Sequence, residues 1–279
     1  MAWSSFAATN EARRSPVHLA GNNAGHNGNT WSSQFTVGGG AVPTVAVALG
    51  GNTVGGLWAR NNAHRTGAAK YWLSKSMTMS QGGSGNRRYM LIDRLSHQGG
   101  LNSVTPLTPT EQTTNLPTAA LTRHTSGVGV CIGLQVWANL GATPITVTAR
   151  YTNSAGTPNR VTAITAFPAS LTLNSVILMP LADGDVGVLS VEAVTFLAST
   201  GTAGNLGVVL FKPLAVLCDT TGVSNSFADS LGRGQSPERD HILGGMLSEI
   251  EKDACLDVLC SGGSSFTSNM LMLELIEER

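Results

Sequence analysis

The sequence is short of charge. Of its 279 residues, 12% are Asp, Glu, Lys or Arg, about half the ~25% of an average globular chain. Thr, Ser, Asn and Gly take their place. A surface with so few charges is poorly protected against association, which fits a protein whose surface is covered by neighbours. Aromatic residues are also sparse, at 5%. The four cysteines, Cys131, Cys218, Cys255 and Cys260, are too few and too scattered for a disulfide framework in a chain of this length, and they read as buried thiols. No uninterrupted apolar run approaches the ~20 residues of a membrane helix. The start, Met1-Ala-Trp-Ser-Ser-Phe, has no charged region ahead of an apolar stretch, so it does not read as a signal peptide. The expectation is a soluble protein made in a reducing cytoplasm, with no membrane partner.

Catalytic patterns are missing too. His18, His26, His64, His97, His124 and His241 form no His-x-x-x-His pair and have no Cys-x-x-Cys partner, so no zinc site is expected. Gly82-Gly-Ser-Gly-Asn-Arg-Arg has the glycines of a phosphate loop but lacks its Lys-Ser/Thr ending, and reads as a hairpin turn. Asp183 and Asp185 fall in Ala182-Asp-Gly-Asp-Val-Gly, where a turn explains them with fewer assumptions than calcium, which needs more oxygen ligands and a closing Glu. No serine sits in a Gly-x-Ser-x-Gly elbow. Only Glu11, Asp93 and Glu111 are acidic before Asp183, which leaves little for paired-carboxylate chemistry. The chain reads as a non-enzyme with no catalytic residue, cofactor or metal.

What charge there is falls unevenly. Residues 1–120 hold nine Lys/Arg against three acids, and residues 121–279 hold eight against fourteen. Opposite poles favour head-to-tail contact with copies of the chain or with a complementary partner. The basic half has none of the dense Lys/Arg runs of nucleic-acid binders, so no direct nucleic-acid contact is expected. Its most charged cluster is Arg87, Arg88, Tyr89, Asp93 and Arg94. Arg87, Arg88 and Arg94 are candidate interface residues that would anchor an acidic partner. The plainer reading is a strand with a solvated face and an Asp93–Arg94 neighbour pair of little worth.

The strongest pattern begins at Val128. Val128, Val130, Ile132, Leu134, Val136, Ala138 and Leu140 occupy every second position, the mark of a strand with one face in a core. Ile145, Val147, Ala149 and Tyr151 repeat it against Thr146, Thr148, Arg150 and Thr152. Further strands are expected at Tyr71–Met79, Arg87–Leu95, Val161–Ala166, Ser175–Leu181, Leu189–Leu197 and Leu206–Phe211. Short strands about ten residues apart, with no helices between them, predict a mainly β protein: an antiparallel β-sandwich, jelly-roll-like. Pro106, Pro109 and Pro117 make residues 99–117 a crossing segment that excludes helix and central strand.

Three regions follow. Residues 1–70 form an extended N-terminal arm, rich in Asn, Gly and Ser, with a short helix or turn from Trp58. Residues 71–213 are the sandwich core. Residues 214–279 comprise a Gly/Ser loop, a helix and a tail. The helix begins at Ser236 as N-cap with Pro237 in its first turn. It carries Ile242, Leu243, Met246, Leu247, Ile250, Ala254 and Val258 on one face.

Tyr71-Trp-Leu-Ser-Lys, the run Tyr89-Met-Leu-Ile-Asp-Arg-Leu-Ser-His-Gln-Gly-Gly-Leu, Asn115-Leu-Pro-Thr-Ala-Ala-Leu-Thr-Arg and Gly204-Asn-Leu-Gly-Val-Val-Leu-Phe-Lys-Pro-Leu together resemble virion structural proteins of tailed bacteriophages. The resemblance spans residues 65–215. It implies a non-enzymatic particle protein with a β-sandwich core, located in the virion. The first expectation is a capsid-decorating (cement) protein, a homotrimer on the major capsid protein; a minor capsid or neck–tail component is the second. A receptor- or glycan-binding spike module, with Trp31, Trp58 and Trp72 as stacking platforms, is the competing class.

Overall fold

The computed structural model describes residues 14–21, 30–33, 45–50, 70–81, 86–104, 109–117, 119–201, 204–220, 233–235, 239–240, 248–261 and 268–278. Among them are eighteen strands and no helix. In chain order the first six are β1 (Arg14–Gly21), β2 (Trp31–Ser33), β3 (Val47–Ala48), β4 (Lys70–Gln81), β5 (Asn86–Asn102) and β6 (Thr110–Leu116). Next come β7 (Cys131–Ala138), β8 (Ile145–Asn153), β9 (Arg160–Val161), β10 (Thr165–Phe167), β11 (Ser175–Met179) and β12 (Val188–Phe196). The last are β13 (Asn205–Thr220), β14 (Arg233–Gln235), β15 (Arg239–Asp240), β16 (Glu249–Glu251), β17 (Leu256–Ser261) and β18 (Ser268–Glu278). All pairings between these strands are antiparallel.

The central sheet closes on itself. Its order is β13-β7-β11-β2-β17-β5-β3, and β13 also pairs with β5 along fourteen residue pairs. Six strands therefore form a ring, with β3 attached outside it. Closure satisfies strand edges that would otherwise be open. Alternate side chains of the ring share one apolar cluster: Met90, Ile92, Val176, Val209, Phe211 and Leu259, with Trp31, Cys131 and Leu178 packed against them. Gly133 makes room for them, since a β-carbon there would come within 3.0–3.2 Å of Val209, Val176 and Phe211.

Two further sheets lie against the outside of the ring. The five-stranded sheet β10-β8-β12-β6, with β9 on β8, contributes Ile145, Val147, Ala149, Tyr151, Val194 and Phe196 to the largest core. The ring contributes Val130, Ile132, Leu134, Val136, Val208 and Leu210 to the same core. These are the apolar positions of the two alternating segments. β8 alternates strictly between buried and half-buried, as a strand with one solvated face should. β7 does not. Six of its eight residues are buried, because its second face looks into the ring. On the other side, β4 and β16 bring Tyr71, Leu73 and Ile250 against Tyr89, Leu91, Leu256 and Val258. β4 belongs to a sheet in which β1-β18-β4 run side by side and β14, β15 and β16 line the far side of β4.

Several expectations need correcting. The C-terminal helix is not there among the described residues: β15, β16 and β17 occupy that stretch, and residues 236–238 and 241–247 of it lie outside the described residues. β17 sits inside the ring between β2 and β5 and is buried on both faces. A continuous apolar run of that kind mimics three- and four-residue spacing. The crossing segment starts inside β5, whose last residues, Gly99–Asn102, lie in the ring against β13; the strand it holds farther on, β6, fits between Pro109 and Pro117 at the end of its sheet, where prolines are tolerated. β13 continues past Pro213, which falls at a register slip after β7 has ended opposite Phe211. The ring also recruits Trp31–Ser33 from the segment read as an arm. Of the short helix or turn read from Trp58 to Trp72, residues 58–69 lie outside the described residues and residues 70–72 belong to β4.

Candidate functional site: two clamps on one strand

Asp93 and Arg94 are consecutive on β5 and serve opposite sides of it, as strand geometry requires. Arg94 is fully buried. Its Nη1 donates to Asp257 Oδ2 at 3.0 Å and to Ser33 Oγ at 3.1 Å, and Ser33 Oγ donates to Asp257 Oδ2 at 2.6 Å. Its Nη2 donates to Gln135 Oε1 at 2.8 Å and reaches His97 Nδ1 at 3.5 Å. One guanidinium thus ties together β2, β5, β7 and β17. An arginine has only donors, so Nδ1 of His97 is the accepting nitrogen and the ring proton sits on Nε2. Burial, reinforced by the Arg94 charge, pushes the His97 pKa down to about 3, which keeps the ring neutral and able to accept. The ring also meets Trp137 edge-on, with ring centroids 5.5 Å apart.

Asp93 faces the other way. Its carboxylate takes Arg123 Nε at 2.8 Å and Arg123 Nη2 at 2.9 Å, the fork geometry that makes arginine–carboxylate pairs strong. It also accepts the Cys255 backbone N–H at 2.8 Å, and His124 Nε2 lies 3.4 Å away. Arg123 reaches on to the Arg94 carbonyl. The loop before β7 and the turn before β17 are both fixed to β5 by this carboxylate.

The rest of the distinctive string is used in the same manner. Leu95 is the extra residue at a register slip, with Leu210 opposite Ser96 and Phe211 opposite Arg94, and this slip is what lets Arg94 and His97 meet. Ser96 Oγ donates to the Val47 carbonyl, and Gln98 Oε1 accepts from the Asn115 N–H. Gly100 has φ of +80°, a conformation natural to glycine, at a second slip opposite β13; its N–H donates to Asn205 Oδ1. Leu101 joins the main core.

A third polar centre holds the loops at one end of the five-stranded sheet. Asp185 accepts from Tyr151 Oη at 2.5 Å, Asn153 Nδ2 at 2.7 Å and Arg160 Nε at 2.8 Å. Hydrogen bonds from Tyr151 and Arg160 hold its pKa down to about 2. A depressed carboxylate contributes stability that is complete above its ordinary pKa and is lost as pH falls through the folded value. Asp185→Asn should therefore destabilise the protein at pH 7. The gap to the parent, followed by urea unfolding, should close between pH 4 and about 2. A gap that persists unchanged at pH 2 would refute the assignment.

Cys255, His124 and Asp93 are the residue types of a thiol triad, and they lie close together. The chemistry does not follow. A nucleophilic cysteine needs a depressed pKa, whereas burial pushes the Cys255 thiol up to about 12. Cys131 is also raised, by burial.

The three candidate interface residues separate. Arg88 is exposed on β5, Arg87 is placed by register opposite Asp219, and Arg94 is sealed inside the ring with no surface to offer a partner. Nor do Asp93 and Arg94 pair with each other: each has a distant opposite charge instead. Period-2 alternation could have separated them, since neighbours on a strand cannot share a face. Asp257, 163 positions from Arg94, has no local signal. Of the proposed stacking platforms, Trp31 packs against the ring interior and Trp72 is half-buried; Trp58 lies outside the described residues.

No family model matches the sequence, and no curated protein does. Among solved structures, the VP2 subviral particle of infectious bursal disease virus aligns over 96% of this chain and 81% of that one, with 9% identity and a TM-score of 0.21. The structure of the Gx strain of the same virus aligns over 96% and 80%, with 9% identity and a TM-score of 0.20. Similarity at that level does not establish a shared fold.

Proposed function

We propose that this chain is a structural component of a virus particle, and specifically a capsid decoration protein of a tailed phage. It is made in the host cytoplasm and ends in the virion, where it bridges subunits of the major capsid protein. It has no enzymatic activity. The observation that carries this reading is the use made of residues 93–101. This string bears the resemblance to phage virion proteins, and most of its polar groups tie strands and loops together. Asp93 and Arg94 alone engage seven other residues drawn from six parts of the chain. A raised cysteine pKa beside them fits the same purpose, since it favours an inert thiol.

Low charge and a rigid, ring-centred body suit a protein whose work is contact. A standard interface buries roughly 1,600 Å², and many symmetric copies multiply its effect through avidity. The expected unit is a homotrimer that binds assembled shells and not free coat subunits. Quantitative composition of purified virions tests the role: the chain should be present in tens to hundreds of copies, and particles lacking it should lose their genome at lower temperature. A handful of copies confined to the neck would favour the minor-capsid reading. Absence from virions would end the proposal.

A further inference from the structure

Four branched aliphatic side chains stand out from the surface around the Asp185 loop: Ile164 is 67% exposed, Val186 64%, Val128 51% and Val161 49%. Hydrogen bonds place most of them in sequence along one strip. Lys212 Nζ donates to the Val128 carbonyl at 2.8 Å. The neighbouring Gly129 N–H donates to the Val186 carbonyl at 2.8 Å, and Val128 bridges to Gly187. Beyond Val186, Asp185 holds Arg160, which precedes Val161 and also donates to the Asp183 carbonyl. The strip thus runs from a cation, Lys212, across Val128 and Val186 to an exposed anion, Asp183. Arg160 and Asp185 between them neutralise each other.

We infer that this strip is a self-complementary contact with a second copy of the chain, related by a two-fold axis passing between Val128 and Val186. In a two-fold contact the same patch meets itself in reverse. Here that reversal sets Lys212 of each copy against Asp183 of the other, twice, and stacks valine on valine between them. A patch with a single sign of charge would repel itself in this arrangement. Residues 161–174, the stretch that carries Val161 and Ile164, contain no charge, and interface centres are depleted in charge. The backing is stiff: the Asp185 centre and the Gly127–Gly187 crossing fix both valines, so little ordering entropy opposes association.

This inference refines the self-association part of the proposal above, and it joins subunits two at a time, whether these are single chains or members of a trimer. Sedimentation velocity of the full chain over a range of concentration tests it, with thermal unfolding of every variant as a check on folding. Asp183→Lys and Lys212→Glu should each weaken two-copy association by about tenfold or more, because like charges then face each other. The double variant should recover it, since the swapped charges again match. Val186→Asp, at an exposed position in the middle of the strip, should abolish it. A parent that shows no pairing, single variants that pair normally, or a double variant that fails to recover would each overturn the inference. Presence in virions is read independently, so failure of the particle role and failure of this contact are distinguishable.

Discussion

Replacing Arg94 with Met should cost about 3–5 kcal/mol, the usual penalty for stranding a buried charge. The guanidinium is the hub for Ser33, His97, Gln135 and Asp257. Its loss leaves the Asp257 carboxylate fully buried without its cation, although Ser33 Oγ and the Val258 backbone N–H still donate to it. Total stabilities of roughly 5–15 kcal/mol make this a large fraction, so the single variant should unfold at much lower urea concentration. Arg94→Lys should fall nearly as far, because an ammonium cannot spread over four partners as a planar fork does. The informative variant is Arg94→Met with Asp257→Leu. Removing both charges leaves no buried ion without its partner, and buried pairs replaced in this way are often neutral or better. Most of the lost stability should return. If the single Arg94→Met variant unfolds within 1 kcal/mol of the parent, the clamp does not hold the ring together.

The ring explains which parts of the fold were legible in the sequence. β8 was readable because one face meets solvent: Thr146, Thr148, Arg150 and Thr152 advertise the outside, and Ile145, Val147, Ala149 and Tyr151 the core. On β7 the same alternation located the strand but disguised its second face. Gln135 and Trp137 look like solvent-facing residues, yet both are buried, Gln135 on Arg94 and Trp137 against His97. A closed ring has an interior that need not be apolar, and binary patterning cannot tell a polar interior from water. β17 failed for the complementary reason. Leu256, Val258 and Cys260 pack outward on β4 and β16, while Leu259 faces the ring's filling. With both faces buried no period survives, and the spacing of Ile250, Ala254 and Val258 then passes for a helical stripe. Asp257 in that run resembles a solvent-facing charge. Only closure, which brings residues 163 apart into contact, reveals its partner. The clamp was therefore visible as an unusual string and invisible as a structure.

The second large effect is expected at Gly187, where two chain segments cross in backbone contact. A β-carbon there would overlap the Gly127 carbonyl oxygen and lie 2.7 Å from the Gly129 nitrogen and 2.9 Å from the Gly127 carbonyl carbon. All of these are backbone atoms, so no side chain can rotate away. The crossing itself is bonded: Val188 N–H donates to Gly127 O at 3.0 Å and Gly129 N–H to Val186 O at 2.8 Å. Relieving the overlap means breaking one of these bonds or moving the start of β12, whose Val188 is buried in the main core. Gly187→Ala should accordingly cost about 3 kcal/mol or more, at the upper end of what overpacking does. Gly184→Ala is the matched control three residues away. It also removes a glycine, at φ of +83°, but a β-carbon there meets nothing within 4 Å, so only the left-handed penalty of roughly 1–2 kcal/mol applies. Urea unfolding of the two variants separates crowding from backbone conformation. Equal losses would mean that the crossing yields more easily than its geometry implies. A larger loss at Gly187 would show that the loops carrying Val128 and Val186 are held from below, which is what a fixed contact surface requires.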